Sequence, residues 1–353
     1  MSDTEKIAWY KNKQLIAIGL FAGVLLAAVI ISYLFTDKPP SAPAPDQPAT
    51  GESSLDCPQR RLLDNVCVAA GFGNLTPWAV MIENNIEARP VAGIDAASLV
   101  FEAIAEGSIT RFLAVFPGDS EVEKIGPVRS ARPYYLDWAT EFDPVYIHVG
   151  GSPQALAELA DSSMKDLNQF YFGDYFWRSN DRFAPHNVYT SSQLINKVME
   201  KKDWSGTSEY EPWQFKDETA SADSTAEQNI VINYNSSYYD VNWQYDAESN
   251  EYVRYQSGKK YLTEAGDAVT AKNVAVVYTL VRVIDDYGRL DTKTIGQGRA
   301  LVFRDGIGID GQWKKQNAKS RLRFYDQAGE EIRMNGGKTW IAIVPDNLPL
   351  AEY

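Results

Sequence analysis

Hydrophobic residues form three different patterns along this chain, and each pattern predicts a different structure. The first is an apolar run over residues 15–35 that contains no charged residue. As a helix this run spans about 31 Å, the thickness of a bilayer's hydrocarbon core. Lys6, Lys11 and Lys13 precede it, so the positive-inside rule places residues 1–14 in the cytoplasm. The run predicts a single-pass, uncleaved signal anchor in the cell membrane, with all later residues extracytoplasmic.

The second pattern alternates strand-like and helix-like stretches between residues 76 and 202. Strands are predicted for three apolar stretches, residues 78–82, 99–104 and 111–116. Helices are predicted for three others, residues 132–142, 154–159 and 191–202. Ser152-Pro153 precedes the second of these helices, and a Ser cap followed by Pro is typical of a helix N-terminus. The alternation predicts an α/β domain.

The third pattern, over residues 228–353, consists of short strands rich in aromatic and β-branched residues. Turn sequences such as Asn335-Gly-Gly337 separate them, as in antiparallel sheets. The polar residues 203–227 between the two patterns predict a linker or surface insertion. The fold class predicted is therefore α+β: an N-terminal α/β domain followed by a mainly antiparallel β domain, behind a single transmembrane helix.

Cys57 and Cys67 are the only cysteines, and both follow the predicted anchor. An even pair outside the cytoplasm predicts a disulfide, within a loop over residues 57–75. The bridge is worth roughly 3 kcal/mol in the chain-entropy model. The spacing of the two cysteines has no second pair or adjacent His, so no metal site is expected. Residues 36–56, rich in Pro, Ala and Ser, predict an extended tether between membrane and folded part.

Charge excludes one class of partner. The chain carries a net charge of −13, and the first 14 residues contribute +1, so the part beyond the anchor carries −14. An acidic domain of this kind does not bind nucleic acid non-specifically. The sequence also lacks H-E-x-x-H, G-x-S-x-G and Walker motifs. No cofactor is expected, and no familiar class of enzyme is indicated.

Candidate chemistry is concentrated where this acidic chain is locally basic. The chain has two histidines, His148 and His186, which would serve as acid and base if the protein is an enzyme. Nearby guanidinium groups match carboxylate and phosphate geometry. The N–H groups before the Ser152 cap suit an anion. Glu83, Glu102 and Glu106 are predicted to orient the two histidines or to act as carboxylate catalysts. The predicted ligand-binding residues are Arg111, Arg129, Ser130, Arg132, Gly150, Gly151, Ser152, Arg182 and Asn187.

Structural roles for the same residues remain open. Arg129 and Arg132 would then form scaffold ion pairs with Asp137 or Glu102. His148 lies on an apolar strand, where a histidine is commonly a hydrogen-bonded core residue. Gly150 and Gly151 would form only a tight turn between strand and helix.

Several stretches resemble the YerB-like lipoprotein family, a bacterial extracytoplasmic family without an established function. The matching stretches are residues 88–90, 106–112, 124–133, 147–155, 182–189, 252–254, 271–274 and 337–340. The resemblance covers roughly residues 76–345 and implies an N-terminal α/β region followed by a C-terminal β region. It supplies no established catalytic residues. A lipoprotein needs a Cys just after its apolar segment, whereas Cys57 lies far downstream, so this chain is expected to be held by its helix.

Three functions follow as hypotheses. The first is an envelope protein that binds an anionic glycan or peptidoglycan-related ligand, such as a lipid-linked precursor, through the Arg/His cluster. The second is an envelope hydrolase or transferase that uses His186 and His148 as acid and base. The third is a scaffold for membrane protein complexes that has no small ligand.

Overall fold

β-Strands outnumber helices in residues 57–217 and 229–353, which are the residues that the computed structural model describes. The elements of the first range are β1 (Gln59–Arg60), β2 (Cys67–Val68), β3 (Trp78–Glu83), β4 (Leu99–Glu106), β5 (Ile109–Phe116), α1 (Pro133–Ala139), β6 (Val145–His148), α2 (Pro153–Ala160), β7 (Lys165–Asn168), β8 (Trp177–Arg178), β9 (Val188–Tyr189), α3 (Ser192–Lys202) and β10 (Phe215–Lys216). The elements of the second range are β11 (Asn229–Ile232), β12 (Val241–Asp246), β13 (Glu251–Gln256), β14 (Lys259–Lys260), β15 (Thr270–Ala271), β16 (Asn273–Thr279), β17 (Val281–Val283), β18 (Leu290–Thr292), β19 (Gly296–Arg304), β20 (Ile307–Lys315), β21 (Arg323–Asp326), β22 (Met334–Asn335) and β23 (Thr339–Pro345).

A ten-stranded mixed sheet joins the two halves of the chain. Its strand order is β21-β20-β19-β16-β23-β4-β5-β3-β6-β7. The last strand, β23, pairs in parallel with β16 on one side and with β4 on the other. All of β23 is buried, as expected for an apolar strand with neighbours on both edges. The expectation of an α/β domain followed by a β domain holds in part: the arrangement is two-domain-like, but the fold is mostly β with few helices, and strands of both halves share one sheet.

The central strands of the sheet are buried on both faces, which makes three layers. Alternate residues of β3 point to opposite faces, Trp78, Val80 and Ile82 to one and Ala79 and Met81 to the other. The first face packs against α3 and a small sheet made of β11 to β15. The second packs against α1, α2 and the segment around Trp213. This layering explains why the strands read as continuous apolar runs.

The three helices begin within one residue of the predicted starts. Pro133 and Pro153 occupy the first turn of α1 and α2. The Ser152 hydroxyl accepts a hydrogen bond from the Ala155 N–H at 3.2 Å, and the Ser191 hydroxyl accepts one from the Leu194 N–H at 3.3 Å. Local capping signals therefore sufficed to place these helix starts.

The polar segment over residues 203–227 is described as far as residue 217, and there it is part of the folded body. Trp213 is buried, and its indole N–H donates to the Leu322 carbonyl at 2.6 Å. Strand β10 pairs in parallel with β22. The expectation of a linker needs correction for residues 203–217, because one large aromatic side chain and one short strand pair pack the segment against the C-terminal half.

The predicted disulfide between Cys57 and Cys67 is confirmed, with the two Cα atoms 5.6 Å apart. The loop that it closes is attached to the body of the protein by Asp64, whose carbonyl accepts from the Gly337 N–H at 2.7 Å. Among the described residues no helix combines the length and apolarity needed to cross a bilayer. The predicted anchor at residues 15–35 and the tether at residues 36–56 lie outside the described ranges.

Candidate functional site

Strand register brings two of the predicted charged residues side by side. Strands β3 and β5 are antiparallel, and Glu83 at the end of β3 lies opposite Arg111 in β5. The segment that contains Arg129 runs beside β3, because the Arg129 N–H donates to the Met81 carbonyl at 2.9 Å. Residues far apart in sequence therefore meet at one end of the sheet.

Glu83 is the centre of this cluster and is buried. Its Oε2 atom forms an ion pair with Arg129 and lies 3.9 Å from Arg111 Nη2. Its Oε1 atom accepts hydrogen bonds from the N–H groups of Asn84 at 3.0 Å and Asn85 at 3.2 Å. Burial opposes ionisation, but the positive charges of Arg111 and Arg129 outweigh it and lower the pKa of Glu83. The carboxylate is charged at neutral pH.

A second carboxylate, Glu106, holds the outer arginine. It forms an ion pair with Arg132 and lies 3.3 Å from Arg111 Nη2. Arg111 also donates to the Ser130 carbonyl at 3.1 Å. We call the resulting set of three guanidinium groups and two carboxylates the Glu83 network; its members are Glu83, Glu106, Arg111, Arg129 and Arg132.

His186 lies against the Glu83 network between two carboxylates. Its Nδ1 atom is 3.8 Å from Glu83 Oε2, and its Nε2 atom is 3.5 Å from Glu87 Oε2. Nδ1 is buried and makes no hydrogen bond within the described part of the chain. Burial lowers the pKa of His186, and the positive charges of Arg129 and Arg111 act in the same direction, while Glu83 and Glu87 oppose them. The neutral imidazole is thus favoured.

Cis peptide bonds precede three prolines whose carbonyls face this region, Pro90, Pro127 and Pro185. The Pro90 carbonyl accepts from Arg182 at 2.5 Å, and the Pro127 carbonyl accepts from the Glu83 N–H at 2.9 Å. The Pro185 carbonyl accepts from Arg129 at 3.3 Å. The loops around the Glu83 network are therefore tied to it by backbone acceptors.

Three of the predicted ligand-binding residues have internal partners instead. Arg182 donates to the carbonyls of Ala88 and Pro90, which joins two loops. The Asn187 side chain accepts from Arg178 at 3.0 Å and donates to the Ser179 carbonyl at 3.1 Å. Ser130 contributes its carbonyl to Arg111. These contacts give the residues a role in shaping the loops.

His148 and the two glycines form a tight junction after β6. His148 is fully buried, with Nδ1 2.6 Å from the Gly150 carbonyl and Nε2 2.7 Å from Asp166 Oδ1. Gly150 has a φ of +57°, and a Cβ there would lie 2.6 Å from the Phe170 ring. Its N–H donates to Asn168 Oδ1 at 3.1 Å.

The N–H that Ser152 would offer to an anion at this junction is also used, since it donates to the Ala131 carbonyl at 3.2 Å. Gly151 lies beside Ala131 in the same bridge. The N–H groups of Gly150 and Ser152 thus have partners within the turn between strand and helix, and the anion site there stays a prediction.

Glu102 lies apart from the Glu83 network, in a second buried cluster. Its two carboxylate oxygens accept hydrogen bonds from Arg254 at 2.8 and 2.9 Å, and the Trp340 indole N–H donates to it at 3.0 Å. The sequence paired Glu102 with Arg129 or Arg132; the structure corrects this, because the side chain of Glu102 faces the small sheet that carries Arg254. The partners of Arg129 and Arg132 are Glu83 and Glu106.

Exposed apolar side chains border the Glu83 network, a feature that sequence reasoning missed. Phe183 is 92% exposed, and its carbonyl accepts from the His186 N–H at 3.0 Å. Ile86 is exposed beside Glu87. In another loop the exposed Phe170 ring lies against Gly150, and the next residue, Tyr171, is 81% exposed. The available signal was the presence of these large apolar residues within otherwise polar loops.

No group of three or more His, Cys, Asp or Glu side chains is arranged to hold a metal ion in residues 57–217 and 229–353.

Comparison with known proteins places this arrangement in a family. Models described as "Protein of unknown function (DUF3048) N-terminal domain" and "Protein of unknown function (DUF3048) C-terminal domain" match residues 69–205 and 230–341. Over 274 residues the chain is 35% identical to "Putative lipoprotein YerB" of Bacillus subtilis (strain 168). The aligned region covers 76% of this chain and 81% of that protein.

A crystal structure of YerB protein from Bacillus subtilis is similar in fold, with a TM-score of 0.74 and 32% sequence identity. The match covers 83% of this chain and 98% of that one. The resemblance seen in the sequence is thereby confirmed, and the chain belongs to the DUF3048 family of proteins of unknown function, of which YerB is a relative.

Proposed function

We propose that this chain is a membrane-anchored extracytoplasmic envelope protein that binds an anionic glycan or peptidoglycan-related ligand at the Glu83 network. Its location is supported by a relative that is named as a lipoprotein. The disulfide between Cys57 and Cys67 fits an oxidising compartment. The apolar run over residues 15–35 supplies an anchor of its own.

The observation that carries the proposal is the partial exposure of two guanidinium groups in a region whose loops carry exposed aromatic rings. The side chains of Arg129 and Arg132 are 20% and 15% exposed, whereas Arg111 behind them is buried. Each of the two retains N–H groups beyond those bonded within the protein, and guanidinium N–H pairs match a carboxylate or phosphate. Phe183 and Phe170 offer flat apolar faces on which the C–H face of a sugar ring packs.

Charge within the Glu83 network favours an anionic group. Three guanidinium groups pair with two carboxylates, so the Glu83 network carries one net positive charge. The chain beyond residue 35 is acidic, which makes this positive charge a local exception. The buried Glu83 carboxylate pairs with Arg111 and Arg129 and fixes their positions. Arg132 is paired with Glu106, which is more exposed than Glu83, so an acidic ligand that binds Arg132 would compete with Glu106.

A hydrolase or transferase is the second candidate, and one observation favours it. His186 has a buried Nδ1 without a hydrogen-bond partner in the described chain, and it lies between Glu83 and Glu87. A neutral imidazole beside two carboxylates is suited to accept a proton from a bound substrate. His148 has both ring nitrogens bonded in the core, so this candidate rests on His186.

Ligand-induced thermal stabilisation of the full chain in detergent tests the proposal. The probes are muropeptides, teichoic-type polymers and polyprenyl phosphates. Arg132→Gln removes a partly exposed guanidinium, and Arg282→Gln removes an exposed one from strand β17 as a control. We expect a ligand to raise the melting temperature of the parent and the control, with affinity about tenfold lower in Arg132→Gln.

The outcomes separate the three hypotheses. Equal binding by Arg132→Gln and the parent protein contradicts the proposed site. Conversion of a bound probe, lost in His186→Gln while binding persists, favours the enzyme. The absence of a shift with every probe favours a scaffold for membrane protein complexes.

A further inference from the structure

Two neighbouring grooves meet on the outer part of the large sheet, far from the Glu83 network. Their volumes are 590 and 900 Å³, and they share Gln297, Lys314 and Tyr325. These residues belong to β19, β20 and β21, which are three adjacent strands at one edge of the sheet. None of them belongs to the Glu83 network or contacts it.

Strand register arranges the polar side chains of this region in two rows. Gln297 lies opposite Lys314, which lies opposite Arg323. In the next row, Arg299 lies opposite Gln312, which lies opposite Tyr325. Directly opposed residues stand about 5 Å apart on one face, and rows two residues apart are separated by about 7 Å. We call these six residues the C-terminal platform.

The side chains of the C-terminal platform suit a ligand rich in hydroxyl groups. Gln297 and Gln312 are exposed, and each amide offers both a donor and an acceptor. The ammonium group of Lys314 lies 4.5 Å above the Tyr325 ring. A flat polar surface of this kind lacks the apolar anchors that a peptide or a protein partner would need.

Charge on the C-terminal platform indicates where acidic groups of a ligand would bind. Arg299 is paired with Asp310 at 3.0 Å, and Arg323 is paired with Glu211 and Glu331. Lys315 and Arg321, which line the larger groove, are buried against Glu141. For Lys314 and the exposed Lys319 the described residues supply no ion pair. These two ammonium groups are the positive charges of the grooves that have no ion pair in the described residues, and the carboxylates of Asp326 and Glu209 line the same grooves.

We infer that the C-terminal platform is a second binding surface, for an extended glycan strand that carries acidic groups. The amides of Gln297 and Gln312 bond to sugar hydroxyls, and Lys314 and Lys319 meet the carboxylate or phosphate groups of the strand. This inference stands apart from the proposed function, because the C-terminal platform and the Glu83 network lie on opposite faces of the sheet. Six strand spacings, roughly 29 Å, separate β20 from β3.

Alternate residues of a strand point to opposite faces of the sheet, and this alternation places the two surfaces on different faces. Gln297 and Arg299 share a face with Leu301 and Phe303, whose neighbours are the small sheet and α3. Glu83 shares a face with Ala79 and Met81, whose neighbours are α1 and α2. A short ligand cannot bind both surfaces, whereas a polymer can bind both at once and gain avidity.

Sedimentation of the full chain in detergent with insoluble cell walls tests the inference. The walls are used before and after chemical removal of their phosphate-containing polymers. The test variant is Lys314→Gln with Lys319→Gln. The matched control is Lys259→Gln with Lys260→Gln, which removes two exposed lysines from β14 of the small sheet, where Lys260 also lies over a tyrosine ring. A second test variant, Gln297→Ala with Gln312→Ala, removes the amides.

We expect the test lysine variant to bind untreated walls about tenfold more weakly than the control, and to bind stripped walls as the parent protein does. The amide variant should weaken binding to both preparations. Unchanged melting temperatures verify that these exposed substitutions leave the fold intact. Equal binding by the test and control lysine variants overturns the inference, as does a parent protein that binds neither preparation. Loss of wall binding in Arg132→Gln alone also overturns it and supports the Glu83 network instead.

Discussion

Two of the clusters of carboxylate and guanidinium groups in the described residues differ in what surrounds them. The pair of Glu102 and Arg254 is fully buried, with the Arg254 guanidinium 4.5 Å from the Trp340 ring and 5.1 Å from the Tyr261 ring. The Glu83 network uses the same chemistry, but its outer guanidinium groups, those of Arg129 and Arg132, reach the surface. Exposure, rather than residue type, separates a cluster that joins two halves of a fold from one that can meet a ligand.

The largest effect is expected at the buried pair. Arg254→Met leaves the Glu102 carboxylate buried without a cation, and such a change costs about 3–5 kcal/mol of unfolding free energy. Urea denaturation, followed by tryptophan fluorescence, measures it. Replacing both partners, Glu102→Gln with Arg254→Met, should restore part of the loss, because no unpaired charge remains. A loss below about 1 kcal/mol in the single variant would show that the pair does not hold the halves together.

A smaller loss, with a distinct pH dependence, is expected for Glu83→Gln. The substitution removes the hydrogen bond between the charged groups of Arg129 and Glu83, worth about 1.5–3 kcal/mol. The folded pKa of Glu83 is lowered from 4.5, so its stabilising effect is present above the unfolded pKa and lost as the pH falls through the folded pKa. The parent protein should therefore lose stability on acidification more steeply than Glu83→Gln.

Glu87→Gln is the control for this comparison, because Glu87 is largely exposed and also faces His186. Its stability should follow the acid dependence of the parent protein. Parallel stability curves for the parent and Glu83→Gln below pH 5 would contradict an ionised, buried Glu83.

The features that could be predicted from the sequence are those set by residues close together in the chain. Helix starts at Ser152 and Ser191 follow from local capping residues, and the Cys57–Cys67 bridge closes a short loop. The shared sheet was not predictable in this way. Strand β23 pairs with β4, more than 200 residues earlier in the chain, and no local pattern specifies that partner.

The candidate site was predictable in its members but not in its pairing. Arg111, Arg129 and His186 meet because the ends of β3 and β5 and two loops converge, and all three were identified by residue type. Glu102 was grouped with them because it is close in sequence, yet its side chain belongs to the opposite face of the sheet. The face to which a side chain points depends on the register of its strand, because a shift of one residue in register moves every side chain of the strand to the other face.

At the rim of the Glu83 network the expected loss of stability is slight. Arg132→Gln breaks an ion pair with a carboxylate that is partly exposed, and such pairs contribute less than about 1 kcal/mol to the free energy of unfolding. Urea denaturation beside Arg282→Gln provides the comparison. A loss as large as that of Arg254→Met would mean that Arg132 belongs to the scaffold, and the contrast between the two clusters would fail.

The smallest effect is expected from His186, and it appears only in the dependence of stability on pH. Burial lowers the folded pKa of His186 below 6.5, so the unfolded chain binds the proton more tightly than the folded chain does. The free energy of unfolding should therefore rise with pH in the window just below 6.5 and level off above it. His186→Gln should lose this rise and keep the acid loss due to Glu83. With only two histidines, selective ring labelling and NMR report the folded pKa directly. A value above 6.5 would mean that Glu83 and Glu87 outweigh burial, and His186 would then add a positive charge to the rim at mildly acidic pH.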